Sequence, residues 1–245
     1  MLPKLRNWFD WVGGYSLMAL IALLIVVVGT WAFITLADEV GEGDTKHFDT
    51  TIMQYVGQHR GPQWLEEVGR DLTALGGVAV LSLVTIGVAG FLLVTRKFHA
   101  MWLVLFATFS GLFLSTALKW IIDRDRPAVF EHRSHVYTQS FPSGHSMLSA
   151  VVYLTLGSML TRLVPGYRAK LYLLSVALCL TFLVGISRVY MGVHWPTDVL
   201  AGWTAGLVWA IICWLAARAL QRRGKVEKDT EQTDDLPQAA LDPKP

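Results

Sequence analysis

The sequence is poor in charge. Asp, Glu, Lys and Arg make up 16% of its 245 residues, whereas an ordinary soluble domain carries about 25%, so a water-soluble globular domain does not fit. Cysteine is scarce as well. Cys179 and Cys213 both fall inside apolar stretches at no CxxC spacing, which argues against a disulfide framework or a thiolate zinc site. No basic stripe is present either: the net charge is +2 and the cations scatter over loops, so nucleic acid is not an expected partner. Internal repeats and transporter-like inverted symmetry are also lacking. What the chain has instead is apolar: 53% hydrophobic residues, ten tryptophans and a mean hydropathy of +0.43. It reads as an all-α polytopic membrane protein of one domain.

Six apolar segments are long enough, or nearly so, to cross a bilayer: about 15–37, 76–95, 99–122, 146–161, 171–186 and 199–217. The two shorter ones are expected to extend by a turn into polar residues at their ends. Before the first, Leu2, Leu5, Trp8, Phe9 and Val12 recur at helical spacing and predict an amphipathic surface helix. The first span is too long for a signal-peptide core and has no convincing cleavage site, so it reads as an uncleaved anchor. Residues 38–75 form the largest hydrophilic interruption. Phe48, Ile52, Tyr55 and Val56 predict one short amphipathic helix there, Gly61-Pro62 a break, and Trp64, Leu65, Val68 and Leu72 a second helix. Both are expected to roof the bundle on its outer face. Residues 1–220 would form the membrane domain, and the charged, proline-bearing stretch 221–245 reads as a disordered cytoplasmic tail.

Six spans put both termini on one side. Segments on that side hold thirteen of the 21 Lys and Arg, so the positive-inside rule places them in the cytoplasm. The end of span three, the start of four, the end of five and the start of six then share the periplasmic or extracellular face of the plasma membrane.

That face carries the polar residues with chemistry to do. Lys119-x6-Arg126-Pro127 closes span three, Pro142-Ser143-Gly144-His145 opens span four, and Ser187-Arg188-x5-His194-x3-Asp198 joins spans five and six. Uncompensated charge at the mouth of a membrane bundle costs several kcal/mol, so charge kept there is usually there to do chemistry. Lys119, Arg126 and Arg188 set three cations against the carboxylate of Asp198, a balance suited to a phosphate held from several sides. Ser143 can cap the helix and donate to phosphate, and Gly144 lets backbone approach the same anion. Asp198, in a first helical turn behind Pro196, can hold His194 in one tautomer and leave its other nitrogen free to attack phosphorus. His145 is then placed to protonate the leaving oxygen and activate water.

The three motifs, in this order, resemble the type 2 phosphatidic acid phosphatase superfamily, and the resemblance spans about residues 70–215. It implies a phosphohistidine intermediate on His194 and no metal or other cofactor, the cations standing in as stabilisers of transition-state charge. It also implies a membrane lipid substrate: undecaprenyl diphosphate, phosphatidylglycerophosphate or phosphatidate. The outward-facing site tilts the reading toward undecaprenyl diphosphate, and lipid A dephosphorylation or phosphotransfer stays open. Haloperoxidases with a similar anion pocket are usually soluble, which six spans disfavour. A non-enzymatic lipid-phosphate binder or transporter would need the cations without the histidines.

Blander uses compete at single positions. A lone Lys or Arg at a helix end is ordinarily a snorkelling anchor. His132 and His135 read as solvated loop residues lacking further ligands, and Asp123 and Asp125 as residues orienting the motif backbone. Gly202 and Gly206 predict close helix packing, within the chain before between chains. The tryptophans at 102, 120, 195, 203, 209 and 214 read as interfacial anchors.

Overall fold

A computed structural model describes residues 17–59, 61–127 and 139–222. Among these, eight helices and no strand are found: α1 Leu17–Glu42, α2 Lys46–Gln58, α3 Gln63–Leu75, α4 Val78–Val94, α5 Phe98–Ile121, α6 Gly144–Leu160, α7 Tyr167–Tyr190 and α8 Pro196–Arg222. The surface helix expected near the N-terminus, the pair His132 and His135, and the tail from 223 onward lie outside the described residues.

Four helices, α1, α5, α7 and α8, are long and apolar enough to cross a membrane, and α3 with α4 pass together as a fifth, broken span bent by 48°. The expected count of six therefore needs restating. At 17 residues α6 is apolar but shorter than these, because its first turn begins at Ser143 and it sits where lipid need not be matched. Its residues from Ser146 to Val152 are all buried. Helices α4, α5, α7 and α8 pack around it.

Close approach to α6 is made by glycine. A Cβ on Gly202 would lie 2.7 Å from the Ser143 carbonyl oxygen, and one on Gly206 would lie 2.5 Å from that of Met147. The small-residue pair thus packs α8 onto α6 inside the chain. Apolar clusters continue the contact. Ala107, Val151 and Cys213 join α5, α6 and α8, and Leu81, Leu148 and Val152 join α4 to α6.

Several expected boundaries shift. Helix α1 runs five residues past Ala37 because Val40 still turns inward onto Phe141 and Ala201, while Asp38 and Glu39 face outward. Gly43, at φ +88°, ends it in the left-handed conformation usual for a helix stop. Helix α8 extends through Arg222, beyond the expected end at 217 and into the start of the stretch read as tail.

The amphipathic helices form where periodicity placed them. In α2 the buried residues are Asp49 and Met53, while Phe48, Ile52 and Val56 border a shallow apolar groove against α7 and α8. Helix α3 packs against α7. Gly69 meets Tyr190, and the Thr73 and Ser187 hydroxyls share a 2.7 Å hydrogen bond. Two tryptophans also depart from the anchor reading. Trp203 donates to the Thr181 carbonyl at 3.1 Å and Trp209 to the Ser110 hydroxyl at 3.0 Å, so both tie helices together. Trp102 and Trp120 are exposed, as anchors should be.

Candidate active site

The site is built where three chain segments meet: residues 122–127 after α5, residues 139–143 leading into α6, and residues 191–195 between α7 and α8. Helix α7 ends at Tyr190, and two residues on the chain turns at Gly192, whose φ of +75° suits a residue without a side chain. The next helix starts at Pro196, whose fixed φ and missing N–H fit a first helical position. Asp198, two residues later, reaches back to accept from the Trp195 N–H at 2.9 Å. That contact is the return half of a capping box. The first turn of α8 is joined to the start of α6 by the backbone, the Ser143 N–H donating to the Asp198 carbonyl at 3.0 Å.

His194 is buried. Its Nδ1 faces Asp198 Oδ2 at 3.3 Å and its Nε2 lies 3.2 Å from an Arg126 guanidinium nitrogen. A guanidinium has only donors to offer, so Nε2 must accept and the ring proton stays on Nδ1, toward Asp198. The arrangement fixes the tautomer and leaves the Nε2 lone pair on the side of the cations. Burial pushes the His194 imidazole down to about 3 against the hydrogen bond and charge of Asp198, with the positive charges of Arg126 and Arg188 adding to the push. It is therefore a neutral imidazole at ordinary pH.

Asp198 is fully buried and every side of its carboxylate is used. Besides Trp195 and His194, Oδ2 accepts from the Ser140 hydroxyl, and Oδ1 accepts from Arg124 at 2.5 Å. Arg124 also donates to the Thr197 hydroxyl at 2.8 Å and to Asp49 Oδ2 at 2.6 Å. Removing one partner of a buried ion pair commonly costs about 3–5 kcal/mol, because the other charge is left without compensation.

The remaining expected residues gather around the same point. Arg126 donates to the Val193 carbonyl at 2.6 Å, and burial lowers its guanidinium below the ordinary value, with Asp198 partly offsetting this. Lys119, at the last turn of α5, donates to the Gln139 carbonyl at 2.6 Å. Gly144 lies against it, since a Cβ there would come within 3.5 Å of Lys119 Cε. Arg188 is 2% exposed and its Nε has no hydrogen-bond partner among the described residues. An unpaired buried donor on a cation marks a place where an anion would be welcome. Ser143 is buried and accepts, at a long 3.5 Å, from the Ser146 N–H as helix cap. His145 stands one residue into α6, against Gly76 and Gly77 at the α3–α4 bend, within electrostatic reach of Arg188, His194, Lys119 and Arg126.

Four participants were not picked out from sequence: Asp49, Arg124, Ser140 and Thr197. Arg124 and Thr197 sit at unspecified positions inside the motifs, and Ser140 lies two residues before Pro142. Asp49 looked like one of several acids in a hydrophilic stretch. Only its place in α2, three residues before Ile52 and seven before Val56 and so on the same face, hinted that it turns inward. Of the acids beside Arg124, Asp125 does serve through its backbone, its carbonyl accepting from Trp195 Nε1 at 2.9 Å. Among the described residues no group of three His, Cys, Asp or Glu is placed to hold a metal.

Known proteins share this arrangement. The family model of the PAP2 superfamily matches residues 100–222. The chain is 35% identical over 180 residues to phosphatidylglycerophosphatase B of Bacillus subtilis (strain 168), which covers 72% of this chain and 86% of that protein. It is 31% identical over 175 residues to a lipid A 1-phosphatase of Rhizobium etli, covering 62% of this chain and 71% of the relative. Among solved structures, a transmembrane PAP2-type phosphatidylglycerolphosphate phosphatase from Bacillus subtilis superposes with a TM-score of 0.73 at 31% identity, over 81% of this chain and 96% of its own. Motif residues brought together at one end of a helical bundle, and relatives of this closeness, lead to one conclusion: the chain belongs to the PAP2 superfamily and is a membrane phosphatase.

Proposed function

We propose that this phosphatase hydrolyses a membrane lipid phosphate through a covalent phosphohistidine on His194, without a metal. The observation that carries the reading is the forced tautomer of His194, with Nδ1–H toward Asp198 and the Nε2 lone pair toward Arg126. In the first step Nε2 attacks phosphorus and the bond to the lipid oxygen breaks, His145 supplying the proton that oxygen needs. Asp198 stabilises the imidazolium character that develops. In the second step His145 takes a proton from water, the water oxygen attacks phosphorus, and the P–N bond breaks to return neutral His194 and free phosphate. Lys119, Arg126 and Arg188, with Ser143 and Gly144 at the start of α6, hold the phosphoryl oxygens throughout.

The lipid class follows from the neighbours and from the bilayer setting. Phosphatidylglycerophosphate comes first, since the sequence match and the solved structure from Bacillus subtilis both bear that activity in their names. Undecaprenyl diphosphate, phosphatidate and lipid A carry the same terminal phosphate and remain the alternatives. We further propose six spans, α6 serving as the short central one, with residues 1–220 as the membrane domain. Both termini would face the cytoplasm and the site the periplasmic or extracellular side, an orientation supported by the distribution of Lys and Arg.

Phosphate release by the purified chain in detergent, with chelator present, tests this reading across phosphatidylglycerophosphate, undecaprenyl diphosphate, phosphatidate and lipid A. Release from one of them, absent in His194→Ala, is expected. Tight binding without release from any would turn the reading toward a lipid-phosphate binder.

A further inference from the structure

Asp49 belongs to none of the three motifs, and it comes from the amphipathic helix α2, some seventy residues ahead of the first of them. Yet it is 1% exposed and both carboxylate oxygens are engaged. Oδ1 accepts from the Thr197 N–H at 3.1 Å, and Oδ2 accepts from the Thr197 hydroxyl at 2.6 Å and from Arg124 at 2.6 Å. The same guanidinium gives its other nitrogen to Asp198 at 2.5 Å.

We propose that Asp49 and Arg124 are positioning residues for the phosphatase reaction, setting the carboxylate of Asp198 and, through it, His194. The proposal rests on the reading of His194 as the attacking group and Asp198 as its orienting acid. A guanidinium is a rigid planar fork. With one nitrogen fixed by Asp49, the other can meet Asp198 in only one place. Asp198 Oδ1 is thereby pinned, and Oδ2 is presented to Nδ1 of His194. Rotation of Asp198 that spoils the His194 contact must also break the Arg124 contact, so the four residues turn as one unit.

Charge tells the same story. Arg124 sits between two carboxylates, 15% exposed at the side chain, with both pairs short. That sets it apart from Arg188, whose Nε is without a hydrogen-bond partner among the described residues, and from a phosphate-holding role. Its work is directed at Asp198. Thr197 joins the unit at a third point, accepting from Arg124 and donating to Asp49. Helix α2 is in this way part of the active site, more than a cover for it.

The test uses the full chain in detergent micelles with phosphatidylglycerophosphate as the probe, comparing Asp49→Asn, Asp49→Glu, Arg124→Lys and the double variant Asp49→Asn with Arg124→Lys. Asp49→Asn is expected to lower kcat about 10- to 100-fold, the range typical of groups supporting a catalytic ligand, with KM little changed. Asp49→Glu, which keeps the carboxylate, recovers part of that loss. The double variant is no worse than the poorer single one, because both act through one chain of contacts. Losses that multiply, or a change confined to KM, would overturn the proposal. Should the charge variants fail to fold, Thr197→Ala keeps both ion pairs and removes only the shared hydroxyl. A lower kcat at unchanged KM supports the proposal, and a wild-type kcat overturns it. His194→Ala run alongside separates the two readings: turnover surviving there sinks the phosphohistidine mechanism itself, whereas its loss beside silent Asp49 and Thr197 variants sinks the positioning pair alone.

Discussion

The Ser143 N–H and the Asp198 carbonyl oxygen meet at 3.0 Å, so the helix that opens with Pro-Ser-Gly-His and the helix that opens with Pro-Thr-Asp share a backbone hydrogen bond at their starts. Two motifs 55 positions apart are thereby held at a fixed separation. The approach is close enough that the facing helix needs glycine, since a Cβ on Gly202 would stand 2.7 Å from the Ser143 carbonyl oxygen.

Gly202→Ala is accordingly expected to destabilise the protein by about 1–3 kcal/mol, as overpacking a tight contact commonly does, and to lower turnover by pushing Ser143 and Asp198 apart. Gly206→Ala, crowding Met147 and Ala150 deeper in the bundle, should cost similar stability with a smaller effect on turnover. Thermal unfolding in detergent beside phosphate release distinguishes the two; equal kinetic losses would mean that the shared backbone bond is irrelevant to catalysis.

His194→Ala should fold and insert but lose turnover by at least about 1000-fold, as removal of an attacking group or its base does in other hydrolases. Brief incubation of the wild type with radiolabelled substrate and rapid acid-free quenching should trap a labelled protein, absent from the variant. Labelling of His194→Ala at the wild-type level would point to another nucleophile.

Asp198→Asn keeps the shape but removes the charge and can reverse the ring tautomer. Since Nδ1–H faces this side chain and Nε2 must stay an acceptor, kcat is expected to fall roughly 1000- to 10,000-fold, as at other histidines that lose their carboxylate partner. A loss below about tenfold would show that Asp198 supports packing alone.

Stability should fall with acid. Burial pushes His194 down to about 3, while in the unfolded chain a histidine titrates near about 6.5. Above that higher value both states are neutral and the residue contributes no pH dependence. Below it the unfolded chain binds a proton that the folded chain refuses, so folding loses free energy as pH drops from about 6.5 toward 3. Wild type should therefore melt progressively lower between pH 7 and 5 than His194→Gln does. Parallel curves would show that His194 is protonated in the fold.

Orientation is testable by labelling. In a chain with Cys179 and Cys213 replaced, a cysteine introduced at exposed Glu67 should react with an impermeant maleimide on intact cells, and one at exposed Lys97 only after permeabilisation. The reverse pattern would put the site in the cytoplasm.

Much of the site was legible in the sequence because its chemistry is concentrated. Lys119, Arg126, Arg188, His145, His194 and Asp198 are costly residues for a membrane bundle, and their spacing placed them at helix ends without any coordinates. Asp49 was illegible for a physical reason. A carboxylate in a hydrophilic stretch looks solvated until its partner is known, and Arg124 lies 75 positions away at an unspecified place in its motif. Periodicity found helix α2, and Asp49 shares a helix face with Ile52, Met53 and Val56, but what the carboxylate meets on that face depends on segments far along the chain.

The sequence alone determined that this is a helical membrane protein with a phosphate-handling end, since apolar run lengths and costly charged residues are properties of the chain itself. The tertiary structure decided which carboxylate holds which cation, that α6 is the short buried centre, and that Asp49, on a helix outside the motifs, meets Arg124 and Thr197. Those outcomes depend on contacts between distant segments, where burial turns a weak surface pair into a strong geometric constraint, and no local pattern records them.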